Sequence, residues 1–264
     1  VSFNKRYLGA LVMAPFIIFL FLGGIYLKIL MLILALSGVY ELYKVVKEKD
    51  IHAFSILGYV SIIGYFLLDN DVNKLVYILI PLTFISLIMP VINLKYTFID
   101  SAITILGFIY VGVFFSFIPR VNSMEHGEYL IWLIFIASWL CDTVAYYTGR
   151  AFGKTKLCPK VSPKKTVEGS IGGLLGGAIG CGVYGFVIAK YGVNIPLYHY
   201  IIIGAVCGVF SQFGDLVASS IKRYVGVKDY SNLIPGHGGI LDRFDSILFS
   251  SVVVFFYLSL VLNL

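Results

Sequence analysis

Charge is scarce in this chain. Only 13% of its 264 residues are Asp, Glu, Lys or Arg, about half the roughly 25% found in a soluble globular domain. Hydrophobic residues make up 59% and the mean hydropathy is +0.93, which excludes a soluble domain and leaves a polytopic membrane protein. Cysteine is also sparse. Cys141, Cys158, Cys181 and Cys207 stand singly, with no CxxC pair and no Cys/His zinc spacing, so neither a zinc site nor a disulfide framework is expected. Three of the four fall in apolar runs, where a thiol acts as a small hydrophobe. No Ser/Pro/Gly-rich linker divides the chain, so residues 1–264 are expected to form a single membrane domain. Within it, 1–128 supply N-terminal helices, and 129–264 supply spans six to nine with loops 149–168 and 222–243. No small-x-small cleavage site follows the apolar run after Asn4-Lys5-Arg6, so that run reads as a retained first helix rather than a signal peptide. The net charge of +6 would suggest nucleic acid in a soluble protein. In lipid its placement matters more, and no nucleic-acid partner is expected.

What is present is a series of apolar runs. They lie at 7–22, 25–43, 54–68, 75–93, 100–118, 129–148, 169–189, 198–221 and 244–262, against the roughly 20 residues that a spanning helix needs. The first and third are short, and Pro15 should kink the first. The expected fold is all-α: a polytopic integral membrane protein of about nine transmembrane helices. With a cytoplasmic N-terminus, this count puts 16 of the 20 Lys and Arg on the inner side, leaving Lys28, Lys74, Arg120 and Lys190 outside. The C-terminus should then face outward. Ten of those sixteen inner cations sit in loops 149–168 and 222–243. An anchor to anionic headgroups would explain a basic loop, but acids and glycines are interleaved here.

Carboxylates inside apolar spans are costly and are expected to face a bundle interior or an ion or substrate path. Asp142 lies in span six and Asp215 in span eight. Ser211, Asp215, Ser219 and Lys222 recur at helical spacing, giving one polar stripe. Asp242 and Asp245 are three apart at the start of span nine, where they would hold Mg²⁺ or cap the helix. The plainer reading of Asp142 and Asp215 is an interhelical salt bridge. Around them lie Lys222, Arg223, Lys228, Arg243 and His237, with Gly238-Gly239 leading into a helix N-terminus, a setting for an anion nest. His237 is open between a phosphate donor, a base and a turn residue. In the other loop Lys164 and Lys165 are candidates for phosphate oxygens, Ser162 or Thr166 for a helix cap, and Glu168 for a lysine partner. Gly169, Gly172, Gly173, Gly176, Gly177 and Gly180 then mark a close-packing helix face.

The run Ser219-x-Ile221-Lys222-Arg223-x4-Lys228-Asp229-x-Ser231-x2-Ile234-Pro235-x-His237-Gly238-Gly239-Ile240-x-Asp242-Arg243-Phe244-Asp245 resembles the signature of phosphatidate cytidylyltransferases, without departure. Asp142-x2-Ala145-Tyr146-x2-Gly149-Arg150 and Ser162-Pro163-Lys164-Lys165-Thr166-x-Glu168-Gly169 also resemble segments of that family. The resemblance covers spans six to nine. It implies that CTP and phosphatidate become CDP-diacylglycerol and pyrophosphate with Mg²⁺, in a homodimer; a second ion beside Mg²⁺ is left open. On that footing Asp215, Lys222, Arg223, Lys228, His237, Asp242 and Arg243 are the expected catalytic set. Ser162, Lys164, Lys165, Thr166, Ser219, Gly238 and Gly239 would bind phosphate, and Asp215, Asp242, Asp245 and Asp142 would hold metal. The compact chain points to a prokaryotic inner membrane, with the site on the cytoplasmic face. Two rivals remain: a cytidylyltransferase for an isoprenoid lipid phosphate, and an ion-coupled transporter using Asp142 and Asp215. The DGxxAR…GxxxDxxxD pattern that enzymes consuming CDP-lipids resemble is missing.

Overall fold

A computed structural model describes residues 16–234, 236 and 238–264. Residues 7–15 of the first predicted span, with Pro15, lie outside the described residues, as do Lys5, Arg6 and His237. The helices are α1 (Gly24–Val46), α2 (Ser55–Leu67), α3 (Leu75–Ile92), α4 (Phe98–Asn122), α5 (Gly127–Phe152), α6 (Val167–Ile188), α7 (Leu197–Val225) and α8 (Leu241–Val261). Among the described residues seven helical segments are long and apolar enough to cross a membrane, while α2 is a shorter apolar helix. The expectation of about nine spans thus has seven full-length counterparts.

Two corrections concern local structure. Loop 149–168 is not purely irregular, as an all-α reading had it. Strands β1 (Lys156–Cys158) and β2 (Ser162–Thr166) pair antiparallel in it, with an irregularity between the Lys156–Thr166 and Cys158–Ser162 pairs. Helix α7 also runs four residues past the predicted end at 221, so Lys222 and Arg223 belong to its last turn.

The chain forms two compact units. One comprises the residues up to Arg120 together with Lys222–Arg243; the other comprises Val121–Ile221 and Phe244–Leu264. The return of 222–243 to the first unit is not visible in the sequence.

In the first unit, α1 shows why these helices suit lipid. Leu27, Met31, Ala35 and Val39 recur every four residues and are buried, whereas Ile25, Ile29 and Ile33 on another face are exposed yet equally apolar. A helix that is apolar all round belongs in a membrane or a large core. Tyr43 packs against small residues on two neighbours. A Cβ on Gly58 of α2 would lie 2.5 Å from its hydroxyl, and one on Gly107 of α4 would strike its ring. The phenol meanwhile donates to the Thr104 carbonyl at 2.8 Å. Around Gly107–Val113, α4 widens into a π-helical turn.

In the second unit the glycine face of α6 packs, as the spacing predicts. Cβ atoms on Gly173 and Gly176 would run into Cys141, Ala145 and Val144 of α5, and one on Gly177 would lie 2.7 Å from the Gly204 carbonyl oxygen of α7. Without hydrophobic drive between helices in lipid, such backbone approach supplies the dispersion contact that holds them. The Ser138 hydroxyl donates to Ser250 at 2.8 Å, linking α5 to α8. Cys141, Cys181 and Cys207 are buried free thiols, consistent with a packing role.

Candidate active site

The residues singled out by the sequence fall into two groups, one in each unit. In the second unit β2 presents Lys165 and α7 presents Asp215. Lys165 Nζ pairs with Asp215 Oδ2 at 2.6 Å, and the two side chains keep 22% and 31% of their surface exposed. Ser219, one turn on, donates its hydroxyl to Asp215 Oδ1 at 3.1 Å, as the polar stripe requires. Gln212 fixes the start of this stretch by donating to the Gly208 carbonyl at 2.7 Å and the Ser170 carbonyl at 3.1 Å. The pair opens into a cavity of 420 Å³ whose lining includes Asp142, Arg150, Ser162, Lys164 and Thr166. Three fixed cations and two carboxylates therefore line one volume, with Arg150 drawn in although the sequence reading did not list it as a site residue.

The hairpin holds Lys164 and Lys165 in place through Glu168. The Glu168 carboxylate accepts the Lys154 amide at 3.1 Å and the Thr155 amide at 3.1 and 3.2 Å. It thus closes the hairpin, rather than pairing with Lys164 or Lys165 as expected. Thr166 caps α6: its Oγ1 accepts the Gly169 amide at 3.1 Å. It is buried, so its oxygen serves the helix before any ligand.

In the first unit, Lys222 Nζ pairs with Asp242 Oδ1 at 2.6 Å, with only 12% and 3% of the two side chains exposed. The ammonium also lies 5.4 Å from the centre of the Tyr230 ring. Asp242 Oδ2 accepts the Tyr230 amide at 2.8 Å and the Gly239 amide at 2.9 Å. Gly238 adopts φ +82, open to glycine at little cost. A Cβ there would also lie 2.9 Å from Asp242 Oδ2.

The turn before α8 was expected to offer its amides to a phosphate. Instead the Gly239 amide is taken by Asp242, and those of Ile240 and Leu241 by Glu41 of α1, at 2.9 and 3.0 Å. The nest holds the protein's own carboxylates. Glu41 is the residue that sequence reasoning missed, and its position as a lone acid in span two was the available signal. Arg223, Lys228 and Arg243 are exposed in this unit. Asp245, assigned to the second unit, accepts the Ser246 amide at 2.8 Å on Oδ1.

The donor chemistry suits Mg²⁺, which favours carboxylate oxygen and usually keeps several waters. Asp215 and Asp242 each already hold a cation at 2.6 Å, the ammonium of Lys165 or Lys222. Asp242 directs one oxygen at its backbone amides and the other at that cation. Among the described residues no three His, Cys, Asp or Glu side chains gather as a ready-made ligand set, so water and substrate oxygens would complete any shell.

The chain is similar to known proteins. The model of the cytidylyltransferase family matches residues 4–261. A phosphatidate cytidylyltransferase of Staphylococcus saprophyticus is 38% identical over 237 residues, covering 86% of this chain and 87% of its own. One from Staphylococcus aureus strain COL is 36% identical over the same length and shares. One from Bacillus subtilis is 30% identical over 270 aligned positions, covering 98% of this chain and 99% of its own.

Proposed function

The chain belongs to the cytidylyltransferase family, and on that premise we propose that it transfers CMP from CTP to phosphatidate, releasing pyrophosphate and forming CDP-diacylglycerol. The observation that carries this reading is the cavity where Lys164, Lys165 and Arg150 meet Asp142 and Asp215. Cations and carboxylates face one volume, with no serine or cysteine nucleophile needed.

The lipid phosphate is itself an anionic nucleophile. Its oxygen forms a bond to the α-phosphorus of CTP while the bond from that phosphorus to the pyrophosphate oxygen breaks. The difficulty is electrostatic, because two anions must meet and a third must leave. Catalysis is then positioning plus charge neutralisation. Lys164, Lys165 and Arg150 would neutralise phosphate oxygens from one cluster; Lys222, Arg223, Lys228 and Arg243 would do so from the other. Arginine adds bidentate geometry. Asp215 and Asp242, with Asp142 and Asp245, would hold Mg²⁺, a second ion being possible. When bound, the metal would supply Lewis-acid neutralisation of phosphate charge. A substrate phosphate arriving at Lys165 gives that ammonium a new anionic partner and releases Asp215.

We further propose nine spans, an inward N-terminus, an outward C-terminus, a site at the cytoplasmic face of a prokaryotic inner membrane, and a homodimer. The bias of 16 inner against 4 outer cations supports this orientation. So does substrate chemistry: CTP arrives from water, while phosphatidate keeps its acyl chains in the leaflet.

The test uses the full chain in detergent–lipid micelles with α-³²P-labelled CTP, phosphatidate and Mg²⁺. Label should enter the organic phase and depend on both lipid and metal. Label with an isoprenoid lipid phosphate but none with phosphatidate would keep the chemistry and change the substrate. No label with any lipid phosphate, from monodisperse protein, would overturn the reading.

A further inference from the structure

We infer that Glu41 is a positioning residue for the Lys222–Asp242 pair, acting from α1 through the turn that precedes α8. The inference rests on the proposed reading that this pair serves cytidylyl transfer.

Glu41 lies in a helix that otherwise reads as a generic apolar span, and it is only 2% exposed. A carboxylate so buried is costly unless its oxygens are satisfied. Here both are. Oε1 accepts the Ser231 hydroxyl at 2.6 Å and the Ile240 amide at 2.9 Å, and Oε2 accepts the Leu241 amide at 3.0 Å. The partners lie 190 to 200 residues further along the chain. The Ile240 and Leu241 amides stand at the N-terminus of α8, where an anion is favoured by the unsatisfied N–H groups and the helix dipole.

The next residue after Leu241 is Asp242. Glu41 therefore fixes the backbone from which the Asp242 carboxylate projects, and Ser231 ties down the far side of the loop, next to Tyr230. Asp242 in turn holds Tyr230, Gly239 and Lys222. Two carboxylates thus clamp one turn, one by its ends and one from within. Gly239 completes the fit: a Cβ there would lie 2.6 Å from both Glu41 oxygens. Loss of the Glu41 charge would leave the helix folded but free the turn, letting Asp242 and Lys222 drift by the fraction of an ångström that catalysis feels.

The experiment compares Glu41→Gln, Glu41→Asp and Ser231→Ala with the parent chain in micelles. It measures monodispersity, thermal unfolding, kcat and KM for CTP, and amide exchange across 238–242. Removing a group that orients a functional side chain typically costs about 10- to 100-fold in activity. Glu41→Gln should show that loss in kcat/KM for CTP at nearly unchanged Tm, with faster exchange at Ile240 and Leu241. Ser231→Ala should shift the same parameters less, and Glu41→Asp, which keeps the charge, should recover part of the loss. Normal kcat/KM in folded Glu41→Gln would overturn the inference. So would a lowered Tm with unchanged kcat/KM in the folded fraction of either Glu41→Gln or Ser231→Ala, since that is a structural role alone. Asp242→Asn run in parallel separates the two levels. If it is folded and fully active, the reading of the pair falls; if it is inactive while Glu41→Gln is normal, only the role of Glu41 falls.

Discussion

The Lys165–Asp215 and Lys222–Asp242 pairs have the same length, 2.6 Å, and different surroundings. Asp215 keeps 31% of its side chain exposed, receives one serine hydroxyl and opens into a cavity. Asp242 keeps 3%, receives two backbone amides and sits in a turn clamped by a second buried carboxylate. The first pair can exchange partners with little disturbance of the backbone. The second holds the backbone together. One ion-pair geometry can therefore serve exchange or architecture, and what surrounds it decides which.

The largest way to break this contrast is Asp242→Ala. It leaves the Lys222 ammonium buried without its anion and frees two amides. Breaking a buried pair from one side costs about 3–5 kcal/mol, so unfolding in micelles should shift by that order and turnover should vanish. Loss of turnover with unchanged stability would instead make the pair as exchangeable as the first.

Asp215→Asn should separate the two properties. Partly exposed pairs contribute about 0–1 kcal/mol, so Tm should move little, while Mg²⁺-dependent turnover should fall by at least about 100-fold if electrostatic stabilisation is the main catalytic term. Near-normal turnover of monodisperse protein would remove Asp215 from the site.

Glu168→Gln acts at one remove, by weakening the closure of the hairpin that carries Lys164 and Lys165. Its contacts to the Lys154 and Thr155 amides are solvent-facing, so their loss should loosen the hairpin without unfolding it. The expected result is a rise of a few-fold in KM for CTP with kcat nearly constant; a fall in kcat alone would place Glu168 nearer the chemistry.

The smallest effect belongs to an exposed third pair, Lys28–Asp69 at 2.7 Å. The hydrogen bond from Lys28, and its charge, hold the Asp69 carboxyl below its ordinary pKa. A depressed carboxylate pKa stabilises the fold above the unfolded value and loses that contribution as pH falls through the folded one. Asp69 is fully exposed, so Asp69→Asn should leave Tm at pH 7 unchanged within error. A clear drop would show that exposed pairs here do more than screening allows.

Much of this was legible in the chain. The apolar runs gave eight helices near their observed positions, because hydropathy is read directly when lipid is the solvent. The interleaved acids, bases and glycines of 219–245 point to the stretch that holds the Lys222–Asp242 pair. The hairpin was not legible: Ser162-Pro163-Lys164-Lys165-Thr166 has no alternating pattern, since neither face of so small a sheet needs a core. Glu168 looked like a lysine partner by proximity in sequence, whereas its oxygens reached amides 13 and 14 residues back. Glu41 was passed over because its partners lie about 200 residues away, although the rule that flagged Asp142 and Asp215 applied to it equally.

The hairpin is a sheet of two strands, so each strand is also an edge that a neighbouring chain could extend. Proteins confined to a bilayer meet one another often, with matching loops at similar heights. Pro163 has no amide to offer on β2, and Lys156, Lys160 and Lys164 surround the strands with like charge. Like charge on these lysines opposes edge-to-edge joining of adjacent molecules. A substitution that removes one of these lysines would then alter how the protein behaves in a crowd.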